Sequence, residues 1–127
     1  MISVDYLIIG GGVAGTTAAE TIRKLDPNGT IDIVSEEPYP LYSRVLLPHY
    51  ISGKIKREGV FLKTEKFYEE KAIVLLRGRV LVNLSPGNHE AALDDGTIYH
   101  YLNLLLATGG RTRLLSLPEL RGISYFR

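Results

Sequence analysis

The stretch VDYLIIGGGVAG, residues 4–15, decides the fold. Residues 4–9 are a nearly continuous apolar run of strand length, the pattern of a parallel strand buried on both faces. Gly10, Gly11 and Gly12 follow at once, and from Val13 to about Leu25 the apolar residues take helical spacing. Ala14, Ala18, Ile22 and Leu25 fall on one side of that helix and read as its core stripe. Asp26-Pro27 stops the helix, and Asn28-Gly29 supplies a turn. TIDIVS, residues 30–35, reads as a second strand. Strand, helix and strand within about thirty residues make a βαβ unit, expected to cross over with the right hand.

The glycines in this unit have separate tasks. GGGVAG fits G-x-G-x-x-G with Gly10, Gly12 and Gly15 as the fixed positions. Gly10 allows a tight turn from strand to helix. Gly12 lets backbone approach a pyrophosphate, and Gly15 lets helix pack closely on sheet. The helix N-terminus adds unpaired N–H groups and a positive dipole end, both suited to phosphate. An acidic residue, Glu36, stands 21 positions after Gly15 at the end of the second strand. A carboxylate there accepts hydrogen bonds from a ribose diol and repels a 2′-phosphate. No Arg or Lys stands close behind it in sequence, which disfavours NADP at this site. The pattern implies a dinucleotide-binding site and leaves FAD and NAD equally open.

Outward from this core, Pro38, Pro40 and Pro48 punctuate an irregular stretch, with a short helix expected from about Leu46 to Ser52. A further short helix is expected from Thr64, as N-cap, to Lys71, and a third core strand from Ala72 to Leu76. Short β-like runs at 79–84, 90–93 and 97–101, split by Ser85-Pro86-Gly87-Asn88 and Asp94-Asp95-Gly96, read as a three-stranded antiparallel meander. Tyr101 to Ala107 then reads as a strongly apolar strand ending at Thr108-Gly109-Gly110, and Ile123 to Phe126 as the start of one more. The fold class is α/β: a central parallel sheet with an inserted antiparallel meander, forming an incomplete domain.

Composition narrows the function. The chain has 127 residues, enough for about one domain. It is 45% hydrophobic, enough for one core and too much for a disordered tail. Fifteen basic and fourteen acidic residues leave a net charge of +1, so there is no basic field for nucleic acid. With no cysteine, the chain carries no disulfide, thiolate metal site or Cys nucleophile. The apolar run at 4–9 falls far short of the ~18 residues of a membrane span and lacks a signal peptide's basic start, so a cytoplasmic location is expected. His49, His89 and His100 are scattered and point to no metal site or general base.

The whole chain resembles the N-terminal FAD-binding part of the pyridine nucleotide–disulfide oxidoreductase superfamily. The resemblance rests on GGGVAG, on Glu36, on EEPYPLYSRVLLPHYISGK (36–54), on the meander and on LLLATGGRTR (104–113). The second segment is similar to a loop of the ferredoxin reductase-like, NADH oxidase-like and nitrite reductase-like branches, and Leu47-Pro48-His49 leans to the latter two. The resemblance implies a Rossmann-type FAD/NAD(P)-binding fold with FAD as cofactor and NAD(P)H as co-substrate. Gly10, Gly12, Ala14 and Gly15 match the phosphate cradle, Glu36 the ribose ligand, and Arg44 an arginine near the FAD phosphates. Val80 matches the position whose backbone meets adenine, Thr108 and Gly109 the A-T-G contact, and Arg127 an arginine near the flavin. Read without the family, Arg44 is a surface arginine paired with Glu36 or Glu37.

Lacking a cysteine beside Ser43, the segment argues against the coenzyme A–disulfide reductase and peroxidase types. Electrons are then expected to pass from NAD(P)H through FAD to a redox protein, an iron–sulfur or haem partner, or oxygen. The resemblance also implies an N-terminal piece, with NAD(P)-binding and C-terminal domains outside residues 1–127. Two other readings stay open: a stand-alone dinucleotide-binding module, and a non-catalytic subunit of a multi-chain dehydrogenase.

Overall fold

The computed structural model describes residues 1–114 of the chain. The strand expected from Ile123 and the candidate residue Arg127 lie outside the described residues. The apolar runs become six strands of one sheet: β1 (Ile2–Ile9), β2 (Ile31–Ser35), β3 (Ile73–Arg77), β4 (Leu81–Ser85), β5 (Glu90–Leu93) and β6 (Ile98–Leu106). Their spatial order is β3-β2-β1-β6-β5-β4. The first four in that order pair in parallel, and β6-β5-β4 pair antiparallel. All five residues of β2, a central strand, are buried, as a run without alternation requires.

Two cores occupy the sheet. Ile8, Ile31, Ile33 and Ile73 pack under α1 (Val13–Leu25) and α3 (Glu65–Glu70), joined by Ala19 of α1 and Tyr68 of α3. Leu7, Ile9 and Val34 form the second core with Ala91, Leu93, Tyr99 and Tyr101 of the meander. Asp32 of β2 is buried, and the Tyr99 hydroxyl donates to its Oδ2 at 3.0 Å. That bond ties β2 to β6 across β1 and satisfies a carboxylate that would otherwise be orphaned in the core.

The structure differs from the sequence expectation in three places. The third meander strand and the last apolar strand are a single strand, β6, paired with β1 from Ile2↔Tyr99 to Ile9↔Leu106. Its inward residues are Tyr99 and Tyr101 and then Leu104, and those of β1 are Val4 and then Leu7 and Ile9. Both strands change phase together, where the ladder skips Asp5 and Leu102. A phase change within one strand looks, in sequence, like the junction of two.

The helix stripe is displaced as well. Gly15, Thr16 and Ala19 are the buried residues of α1, with Ala18 and Ile22 partly buried, while Ala14 is exposed and Leu25 is 82% exposed. Small residues at 15, 16 and 19 allow the close approach, and alanines on both sides of the helix blur the pattern. Thr64 stands at the N-cap of α3 without a side-chain capping bond.

The long connection from β2 to β3 holds two single-turn 3-10 helices (Arg44–Leu46 and Arg57–Val60) and α2 (Leu47–Ile51) before α3. Arg23, in the last turn of α1, fastens its end. Its Nε and Nη2 donate to the carbonyls of Lys71 and Ala72 at 2.8 and 2.9 Å. Its Nη1 donates to those of Asp26 and Pro27.

Candidate functional site

β1 runs directly into the turn Gly10-Gly11-Gly12, and Gly12 is the N-cap of α1. Gly10 holds φ +118°, in the region that favours glycine, and its N–H donates to the Val34 carbonyl at 2.8 Å. A Cβ on Gly10 would run into the carbonyl of Ala107, just past the end of β6, and one on Gly15 into the carbonyl of Gly10. The helix therefore sits directly on the turn. Gly12 is different: a Cβ there meets nothing within 4 Å. The space above it belongs to a cleft.

That cleft, of about 360 Å³, opens at the carboxyl ends of β1, β2 and β6. Ligands of open α/β sheets bind at such ends. Gly10, Gly12, Glu36, Arg44, Val80, Thr108 and Gly109 line it together. The fold thus gathers candidates from four separate stretches of chain. Gly15 is buried between helix and turn and Ala14 faces solvent, and neither lines the cleft. Arg127 lies outside the described residues.

The electrostatics are paired. Arg44 Nη2 donates to Glu37 Oε1 at 2.8 Å, and its guanidinium lies over the Tyr42 ring, 5.3 Å from the centroid. The surface ion-pair reading of Arg44 thus describes its contact here, and the same residue lines the cleft. Val80 is held at both backbone groups: its N–H donates to Asp94 Oδ1 at 3.1 Å, and its carbonyl accepts from the Asp94 N–H at 2.9 Å. A carbonyl has two lone pairs, so one more donor fits there.

Sequence reasoning misses Arg79 and Arg111 and takes Tyr39 and Tyr42 as half-buried packing rather than stacking residues; all four line the cleft. Arg79 Nε donates to Asp95 Oδ2 at 2.6 Å. Arg111 Nη2 donates to Glu36 Oε1 at 2.9 Å. The absence of a basic residue close behind Glu36 in sequence therefore says little about its charge environment, because the fold supplies one from beyond β6. The EEPYPLY segment carries the aromatic signal: Tyr39 and Tyr42 meet edge to face, with centroids 6.4 Å apart. His49, His89 and His100 do not line the cleft.

Among the described residues no helix is long and apolar enough to cross a membrane. No group of three or more His, Cys, Asp or Glu residues there is arranged to hold a metal ion.

The model of the family described as "Pyridine nucleotide-disulphide oxidoreductase" matches residues 4–126. Rhodocoxin reductase of Rhodococcus erythropolis is 36% identical over 98% of this chain and 30% of its own length. The ferredoxin reductase component of chlorobenzene dioxygenase from Cupriavidus sp. (strain PS12) is 34% identical over 94% of this chain and 30% of its own. Among solved structures, NADH:rubredoxin oxidoreductase from Clostridium acetobutylicum superposes with a TM-score of 0.83 at 25% identity, covering 91% of this chain and 30% of that one. The chain thus spans about a third of the length of these relatives. With a family match running from β1 past β6, the chain belongs to the pyridine nucleotide-disulphide oxidoreductase family.

Proposed function

We propose that the chain is the FAD-binding part of an NAD(P)H-dependent flavoprotein oxidoreductase acting in the cytoplasm, with NAD(P)-binding and C-terminal domains outside residues 1–127. The observation that carries this reading is the open space over Gly12, at the helix N-terminus and between Glu36 and Thr108. The residues fit the adenosine-pyrophosphate half of FAD. The N–H groups of the Gly10–Gly12 turn and of the first turn of α1 suit the pyrophosphate. Glu36 suits the ribose diol, and the second lone pair of the Val80 carbonyl suits the adenine amino group. Arg44 supplies positive charge at the mouth, and Gly109, at φ +67°, turns the chain away beside Thr108.

Bound FAD supplies two-electron exchange with a nicotinamide and one-electron delivery to an acceptor. The chain's own part is to bind the cofactor, orient it and narrow its access to water. The acceptor we favour is a small redox protein, since the relatives are named as reductases of ferredoxin and rubredoxin. The missing cysteine leaves no dithiol route within these residues.

The test is titration of the purified protein with FAD, followed by flavin fluorescence and the visible spectrum. Saturable binding that ADP competes away is expected. Binding of NAD but not FAD would turn the reading into a nucleotide-sensing module, and binding of neither would overturn it.

A further inference from the structure

We propose that Arg111 is a positioning residue that holds the Glu36 carboxylate ready for a ribose diol; the proposal rests on the dinucleotide reading of the cleft. Arg111 and Glu36 are 75 residues apart in sequence. Glu36 follows β2 and Arg111 follows β6, and β1 lies between these two strands in the sheet. The pair therefore joins the two flanks of the β1–α1 turn, where the pyrophosphate would lie. Three features place the guanidinium there. The Ala107 N–H donates to the Ile9 carbonyl at 2.8 Å, carrying the β6–β1 pairing one residue beyond the strand. Gly109 then turns the chain at φ +67°. Arg111 reaches back to Glu36 Oε1 at 2.9 Å.

The two other arginines of the cleft are engaged elsewhere, Arg44 with Glu37 and Arg79 with Asp95. Arg111 meets the carboxylate assigned to the ribose. Glu36 is 41% exposed, so its side chain must be ordered before it can grip a ligand. Ordering it in advance removes part of that entropy cost from binding. A carboxylate has about four acceptor sites, so it holds an arginine and ribose hydroxyls together.

The experiment is calorimetric titration of the full chain and of Arg111→Gln and Arg111→Lys at low ionic strength, with ADP and with 2′-deoxy-ADP as probes. If Arg111 acts through Glu36, Arg111→Gln weakens ADP binding by about two- to fivefold, the reach of an exposed charged contact. The same substitution then barely changes 2′-deoxy-ADP binding, and Arg111→Lys recovers part of the ADP loss. An equal loss for both probes means that Arg111 serves the phosphates or the fold, and overturns the proposal; so does no loss for either. Thermal unfolding of each variant identifies a folding defect, which counts against it as well. A wild-type chain that binds neither FAD nor ADP overturns the dinucleotide reading itself, a result distinct from all of these.

Discussion

Replacing Gly12 with valine separates binding from folding at the same atom. The backbone of Gly12, at φ −75° and ψ −168°, is extended and within reach of a β-branched residue. A Cβ there meets no protein atom within 4 Å, so the branch point of the new side chain enters open space. The remaining cost is a poorer N-cap for α1, about 1 kcal/mol. In a chain of this size that lowers Tm by about 4 °C. The valine methyls instead fill the space assigned to the pyrophosphate. Loss of two charge-assisted hydrogen bonds at about 1.5–3 kcal/mol each removes about 3–6 kcal/mol of binding. That is about 10²- to 10⁴-fold in FAD affinity. Gly15→Ala is the contrasting variant, because its Cβ runs into the Gly10 carbonyl and the helix must shift. Overpacking of that kind costs about 1–3 kcal/mol of stability. FAD titration and thermal unfolding of both variants test the pair. Wild-type FAD affinity in Gly12→Val would remove the pyrophosphate from this turn. A folding loss in Gly12→Val as large as that in Gly15→Ala would refute the open-space argument.

The buried Asp32–Tyr99 bond gives a pH-dependent prediction. Burial holds the Asp32 carboxyl above its ordinary value of 3.8, while the Tyr99 hydroxyl draws it back. The folded state therefore keeps this proton longer than the unfolded one, and this group's contribution to stability falls as pH rises through that window. Tyr99→Phe strips the donor from an ionised buried group and should cost about 1–3 kcal/mol at pH 7. The deficit should shrink as pH drops and Asp32 protonates; a deficit constant with pH in denaturant titrations would show that lost packing, not the charge, is responsible. Asp94→Ala removes the Oδ1 acceptor of the Val80 N–H, leaves the backbone bond from residue 94 to the Val80 carbonyl in place, and should loosen the proposed adenine contact by unpinning one side of Val80. Calorimetry should then find the preference for ADP over inosine diphosphate, which lacks the amino group, reduced; an unchanged preference removes Val80 from adenine recognition.

Much of the candidate cleft's lining was legible in sequence because its signals are local. A strand, a glycine turn and a helix must be contiguous to make a phosphate cradle, so GGGVAG between two apolar patterns announces it. Glu36 was legible because the length of the helix and its return loop fixes how far along the chain the second strand ends. The helix face was misread because α1 buries its smallest residues: alanine and glycine carry little hydrophobic signal, and a stripe one position away scored as well. β6 was read as two strands because its inward residues change phase between Tyr101 and Leu104. A period-2 pattern that slips looks like an ending.

The sequence by itself determined the βαβ unit, the order of the elements and the chemistry of the turn, since each depends on residues close along the chain. Tertiary structure alone decided what surrounds Glu36, that Asp94 fastens Val80, and that Tyr99 satisfies Asp32. These contacts join residues 75, 14 and 67 positions apart. No periodicity or spacing rule links these pairs. The Arg111–Glu36 contact forms because a parallel sheet brings the carboxyl ends of β1, β2 and β6 to one edge, and the Asp32–Tyr99 bond because a carboxylate buried in the core must find a partner there.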